Sequence, residues 1–288
     1  MDSNAMESQV VGVLPHTCIG VIQANSSDDI DLNLQFLEQQ LAELSELGVS
    51  MVFTPENMLL FANTTAYQEA AEELNGGPTQ YRLAELAKRY KLWLHIGSFP
   101  IKQSSSKLST TSLLFNPSGD LVSHYNKLHL FDVDVGDAHQ RYRESDTYQA
   151  GHEVVTCDTP AGRLGITICY DVRFPALYQT LRENGANVIV VAAAFTQVTG
   201  KAHWQTLLQS RAIETQSWII ASAQCGTHSD SRNTYGHSMV IDPWGTIAER
   251  LTDTAGHFVV SIDHQKTDEV RQAMPLLNHA RFHTNLKE

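Results

Sequence analysis

Charge is scarce in this chain, and positive charge scarcest. Charged residues fill 18% of its 288 positions, with 20 Lys and Arg against 32 Asp and Glu, a formal net charge of -12. So few cations argue against a nucleic-acid or membrane-surface partner, either of which normally meets a basic face. Four cysteines are too few to staple a chain of this length with disulfides. No segment reaches the roughly 18–20 apolar residues that span a bilayer; the longest run, VIVVAAAF at 188–195, has the length of a buried strand. HExxH and CxxC groupings are missing, so neither a metal nor another cofactor is expected. No linker rich in Pro, Gly and Ser divides the sequence, which favours one domain over residues 10–288. Residues 1–9 read as a polar tail, with 1–5 vector-derived and Met6 the natural start. That tail lacks the basic and then apolar pattern of a secretory signal, so the expected compartment is the cytoplasm.

Short apolar, β-branched runs are what the chain does have. They recur at 17–23, 49–54, 93–99, 110–116, 165–169, 188–195, 218–224, 236–241 and 257–262. Helical periodicity lies between several of them, at 31–47, 79–90, 176–184 and 202–216. In the first of these helices Leu34, Leu37, Leu41, Leu44 and Leu47 share one face and Gly48 stops it. Strand and helix alternate and the central strands are apolar on both faces, which predicts α/β layers around largely buried sheets. Turn signals at Asn116–Gly119 and Asp242–Gly245 predict two similar hairpins, one in each half. The polar stretch 132–151 lacks a core pattern and reads as a lid over a site.

Three polar residues stand at the ends of strand candidates: Glu56, Lys127 and Cys169. Carboxyl ends of strands are where α/β sheets gather ligands and distant side chains. Taken singly, each also has a plain reading: a helix-capping Glu, a solvated Lys, a packed Cys. Cys169 with Arg173 does not fit a Cys-x5-Arg phosphatase loop, because Pro175 occupies the Arg position. Cys18, Cys157 and Cys225 read as packed thiols.

The segments around these residues are TPENMLLF (54–61), YNKLHLFDVDV (125–135) and GITICYDVRFPALY (165–178). Together they resemble the nitrilase superfamily of carbon–nitrogen hydrolases, over nearly the whole chain. The resemblance implies a four-layer α-β-β-α sandwich, a Glu56–Lys127–Cys169 triad and a small-molecule amide substrate. It also implies a homodimer or higher homo-oligomer paired through 176–184 and 202–216. The residue types suit that chemistry. A free thiol, with a pKa of about 8.5, is mostly protonated at neutral pH, and a nearby carboxylate can take its proton. Lys127 and the backbone N–H of Tyr170 would then stabilise an oxyanion on the carbonyl.

Six further positions belong to this reading. Glu144 either orients Lys127 and substrate or forms a surface ion pair with Arg141 or Arg143. Arg173 either receives a substrate carboxylate bidentately or pairs internally with Asp171 or a neighbouring Glu. Thr196 and Thr199, taken as a loop, are candidate hydroxyl donors, and Phe195 is either a pocket wall or core. Asp171 reads as fixing the turn after Cys169. Residues 192–246 and 144–151 resemble the branch whose amidases act on deaminated glutathione. The rival readings are its sister branch, the ω-amidases acting on α-ketoglutaramate, and a catalytically silent scaffold.

Overall fold

In the computed structural model these runs resolve into two like halves. It describes residues 16–103, 106–136, 141–229, 231–283 and 286; the expected tail over 1–9 lies outside them. The first half runs β1 (His16–Gln23), α1 (Ile30–Glu46), β2 (Met51–Phe53), α2 (Thr64–Ala70), α3 (Pro78–Tyr90), β3 (Trp93–Lys102), β4 (Leu108–Phe115) and β5 (Leu121–Asn126). A small hairpin follows, β6 (Asp132–Asp134) with β7 (Arg141–Arg143). The second half runs β8 (Thr156–Thr159), β9 (Gly162–Ile168), α4 (Pro175–Glu183), β10 (Val188–Ala193), α5 (Gln197–Thr215) and β11 (Trp218–Ala223). The hairpin β12 (Cys225–Thr227) and β13 (Asn233–Tyr235), then β14 (Met239–Ile241), β15 (Ile247–Arg250), β16 (Gly256–Asp263), α6 (His264–Ala273) and the short α7 (Leu276–His279) complete it.

The strands form two six-stranded sheets, ordered β16-β1-β2-β3-β4-β5 and β8-β9-β10-β11-β14-β15. Both follow one pattern of pairing: antiparallel, parallel, parallel, antiparallel, antiparallel. The halves are therefore structural repeats, and the two hairpins expected from turn residues are β4–β5 and β14–β15.

The two-residue period of the strands explains how the layers stack. Ile19, Val21 and Phe53 face the second sheet and pack with Ile166, Val190 and Ile220. Ile22 and Val52 point the other way, onto Leu37, Leu41 and Leu44 of α1. Asp29 caps that helix, accepting from the N–H groups of Asp31 and Leu32 at 2.9 and 3.1 Å. On the far side Leu181 of α4 and Trp204 and Leu208 of α5 cover the second sheet. The result is the expected α-β-β-α sandwich in a single domain. Truncating a fully buried leucine such as Leu37 would cost about 2–5 kcal/mol.

Three expectations change in detail. Leu47, expected on the buried face of α1, is the C-cap just past its last turn and stands exposed. The helix predicted from 202 begins at Gln197, so Thr196 and Thr199 occupy its cap and first turn rather than a loop. Thr196 is its N-cap, and Gly200 serves close packing instead of breaking the helix: a Cβ there would lie 2.3 Å from Tyr235 Cβ. The polar stretch 132–151 is in part the β6–β7 hairpin followed by a 3-10 turn at Glu144–Asp146; its residues 137–140 lie outside those described.

Candidate active site

Strand direction brings the polar residues together. The ends of β1 and β11 meet in a parallel bridge between Ala24 and Gln224, so the two sheets offer their carboxyl ends on one side. Glu56 follows β2, Lys127 follows β5, and Cys169 and Ala194 follow β9 and β10.

Local contacts aim each of them. Before Glu56, Thr54 N–H donates to the His95 carbonyl at 3.1 Å, and Gly97 N–H donates to Thr54 Oγ1 at 3.0 Å. That approach requires glycine, since a Cβ on Gly97 would stand 2.3 Å from the Pro55 oxygen. From the other sheet, buried Gln224 donates through Nε2 to the Glu56 carbonyl at 3.0 Å and to Ser26 Oγ at 2.8 Å. Lys127 is held by its backbone: its N–H donates to Thr110 O and its carbonyl accepts from Gly151 N–H, at 3.0 and 2.8 Å.

The Lys127 ammonium is clamped between two carboxylates. Nζ donates to Glu56 Oε1 at 2.9 Å and to Glu144 Oε1 and Oε2 at 3.1 and 2.9 Å. Glu144 also accepts from Thr110 Oγ1 at 3.0 Å and from Phe131 N–H at 2.7 Å. Of the two readings for Glu144, then, the geometry gives the lysine; Arg143 pairs instead with Asp134, at 2.9 Å. The second oxygen of Glu56 accepts from Ala194 N–H at 2.9 Å. Burial by itself would lower the pKa of Lys127, but Glu144 and Glu56 outweigh it and hold the ammonium well above its ordinary range. A lysine so held is a fixed cation, not a base.

Cys169 has a backbone φ of +46°, a left-handed conformation that costs a non-glycine residue on the order of 1–3 kcal/mol. Asp171 over-determines that turn. Its fully buried carboxylate accepts from Ile168 N–H and Tyr125 OH at 2.9 and 2.7 Å, and lies 3.1 Å from His129 N and 2.7 Å from His129 Nδ1. Burial pushes the Cys169 thiol well above its usual pKa, Glu56 adds to the rise and Lys127 opposes it. The resting sulfur is therefore a neutral thiol.

These groups line a cavity of about 460 Å³ together with Tyr170, Arg173, Phe195, Thr196 and Thr199. Arg173 forms no ion pair among the described residues. Its guanidinium lies over the rings of Phe195 and Tyr170, at 5.2 and 6.0 Å, and contacts His203 Nδ1 at 3.3 Å. The internal pairing with Asp171 does not form. Phe195 fills both of its expected roles, lining the cavity while packing against Trp204 at 4.8 Å. The hydroxyls of Thr196 and Thr199 bond each other at 2.8 Å. Sequence reasoning missed the Ala194 N–H, Gln224, and the wall formed by Phe61, Tyr148 and Arg232. No spacing rule joins them to the motif residues.

The chain matches known proteins over most of its length. A carbon-nitrogen hydrolase family model matches residues 18–272. The chain is 47% identical to the deaminated glutathione amidase of Yersinia enterocolitica, over 93% of this chain and 94% of that one. Among solved structures, the Caenorhabditis elegans NitFhit protein aligns with TM-score 0.86 and 36% identity; the match covers 92% of this chain and 65% of that longer one. Saccharomyces cerevisiae Nit3, a member of branch 10 of the nitrilase superfamily, aligns with TM-score 0.83 and 28% identity, covering 93% and 97%.

Proposed function

The chain belongs to the carbon–nitrogen hydrolase family of the nitrilase superfamily, and from that premise we propose that it hydrolyses deaminated glutathione to α-ketoglutarate and cysteinylglycine. Curated relatives carry that activity in their names, at 47% identity in Yersinia enterocolitica and 40% in Synechocystis. The observation that carries the chemistry is the Lys127 ammonium pinned between Glu56 and Glu144 beside a buried thiol.

In this reading Glu56 takes the proton of Cys169 as Sγ attacks the amide carbonyl. Lys127 and the backbone N–H of Tyr170 face the oxyanion that forms. Collapse breaks the C–N bond, Glu56 returns the proton to the departing amine of cysteinylglycine, and the acyl group stays on sulfur as a thioester. A water then enters with Glu56 as base, and the thioester opens to α-ketoglutarate and free thiol. Glu144 keeps Lys127 aimed through both half-reactions. Arg173, over Phe195, receives the α-keto acid carboxylate.

The same reading makes the enzyme cytoplasmic, in keeping with its four free thiols. It also makes it a homo-oligomer paired through α4 and α5, where Val198 and Ile213 of α5 stand 50% and 52% exposed. Steady-state kinetics on deaminated glutathione and α-ketoglutaramate test the substrate. A higher kcat/KM on deaminated glutathione supports this reading, and a strong preference for α-ketoglutaramate replaces it with ω-amidase.

A further inference from the structure

Deaminated glutathione carries a carboxylate on each side of its scissile amide: one in the α-keto acyl part, one at the end of the leaving dipeptide. Arg173 comes from the nucleophile's own turn and meets only one of them. A second cation enters the cavity wall from a distant part of the chain, where Arg232 leads into β13.

Its guanidinium is held in place by construction. It lies over the ring of Phe61 at 4.4 Å, and Nη2 donates to the Ala62 carbonyl at 2.9 Å. Phe61 is itself stacked on His228, with centroids 3.7 Å apart and planes 9° off parallel. His228 is anchored in turn, with Nδ1 2.9 Å from the Ser26 carbonyl and Nε2 2.7 Å from Thr234 Oγ1. Fixing a guanidinium on an aromatic platform before binding removes much of the ordering cost that a flexible arginine would add on meeting an anion. Asn233 and Thr234 line the cavity beside it with further polar groups.

We propose that Arg232, on its Phe61–His228 platform, is the specificity residue that receives the terminal carboxylate of the leaving dipeptide. The proposal rests on the deaminated glutathione reading and deepens it. It explains how one site separates two substrates with the same acyl part, because α-ketoglutaramate, whose leaving group is ammonia, has nothing to offer Arg232. Neither bond-making nor proton transfer involves this residue; it acts on leaving-group binding alone.

The test is the selectivity ratio, kcat/KM on deaminated glutathione divided by kcat/KM on α-ketoglutaramate, for wild type, Arg232→Met and Arg232→Lys. Arg232→Met is expected to lower the ratio about 10–100-fold, the scale of one charge-assisted pair, and Arg232→Lys to lower it less. A ratio within about threefold of wild type in Arg232→Met would overturn the proposal. A second arm uses deaminated glutathione whose glycine carboxylate is amidated, assayed with wild type and with Arg232→Met. Its kcat/KM should fall by a similar factor, with no further loss in Arg232→Met; an undiminished rate on the amidated compound overturns the proposal whatever the variant's stability. Failure of wild type to hydrolyse deaminated glutathione at all would remove the substrate reading itself, an outcome visible before any variant is made.

Discussion

Asp171 lies 2.7 Å from His129 Nδ1 and 3.1 Å from the His129 backbone nitrogen, and so ties the turn that carries Cys169 to the segment that carries Lys127. Because the same carboxylate accepts from Ile168 N–H and Tyr125 OH, one fully buried group sets the relative position of thiol and ammonium. His129 is braced on its other side by stacking on Phe174, 3.6 Å between centroids.

Asp171→Asn keeps the size of the side chain but puts an NH2 where an acceptor is required. Leaving buried donors without a partner costs about 1–3 kcal/mol, so urea unfolding should show a loss on that scale. Released from its hold, the turn at Cys169 should relax away from positive φ, and kcat should fall with KM little changed. Unaltered kcat in a destabilised variant would make Asp171 a fold residue only.

Glu144→Gln removes one of the two carboxylates around Lys127 while leaving Glu56 and Cys169 in place. The expected fall in kcat is about 10–100-fold, short of the roughly 10²–10³ that outright loss of an oxyanion donor costs. Pre-steady-state kinetics should place the loss in both acylation and deacylation, since Lys127 serves both. A variant with wild-type kcat would return Glu144 to a structural role.

Gln224→Met breaks the link between the sheets at the Glu56 carbonyl and leaves Ser26 N–H without the Gln224 acceptor it meets at 3.0 Å. Stability should drop by about 1–3 kcal/mol, and kcat should fall with KM little changed, because the carboxylate of Glu56 is no longer fixed against Lys127 and Ala194. A stability loss with an unchanged kcat would argue against a positioning role.

Stability should fall at both ends of the pH scale, for nameable reasons. The folded-state pKa values of Cys169 and Lys127 are both raised, from 9.0 and 10.5. Above each of those values the unfolded chain loses its proton first, so the stability each group contributes is intact below pH 9.0 and 10.5 and drains away as pH rises toward the folded values. Cys169→Ala should remove the earlier onset. On the acid side, burial lowers His95 from 6.5 to about 3. Below pH 6.5 the unfolded chain binds a proton that the folded one refuses, so stability drops by up to about 1.4 kcal/mol per pH unit until about pH 3. His95→Leu should cut the slope of urea-unfolding free energy near pH 5 by about that amount; an unchanged slope would contradict the assignment.

Much of the fold was legible because its signals are local. Leucines at 34, 37, 41 and 44 mark α1, and VIVVAA marks a central strand. The ends of those runs already expose Glu56, Lys127 and Cys169, which the fold gathers at one cavity. Less visible was anything made by convergence. The Ala194 N–H carries no side-chain signature, Gln224 reaches Glu56 across two sheets, and Arg232 meets Phe61 only because the β12–β13 hairpin folds over the site. The start of α5 was misplaced because Val198, Thr199 and Gly200 have poor helix propensity; the Thr196 cap and the close approach of Tyr235 override it. α2 was passed over because it buries Tyr67 alone, too little for a period to show.

The claim on which the rest depends is that Cys169 forms the bond to substrate. Turnover of deaminated glutathione by folded Cys169→Ala, matched to wild type by circular dichroism and assayed at high enzyme concentration, tests it most directly. The account predicts a loss of about 10⁶-fold, the scale seen when a nucleophile is removed. Turnover within tenfold of wild type would contradict a covalent mechanism.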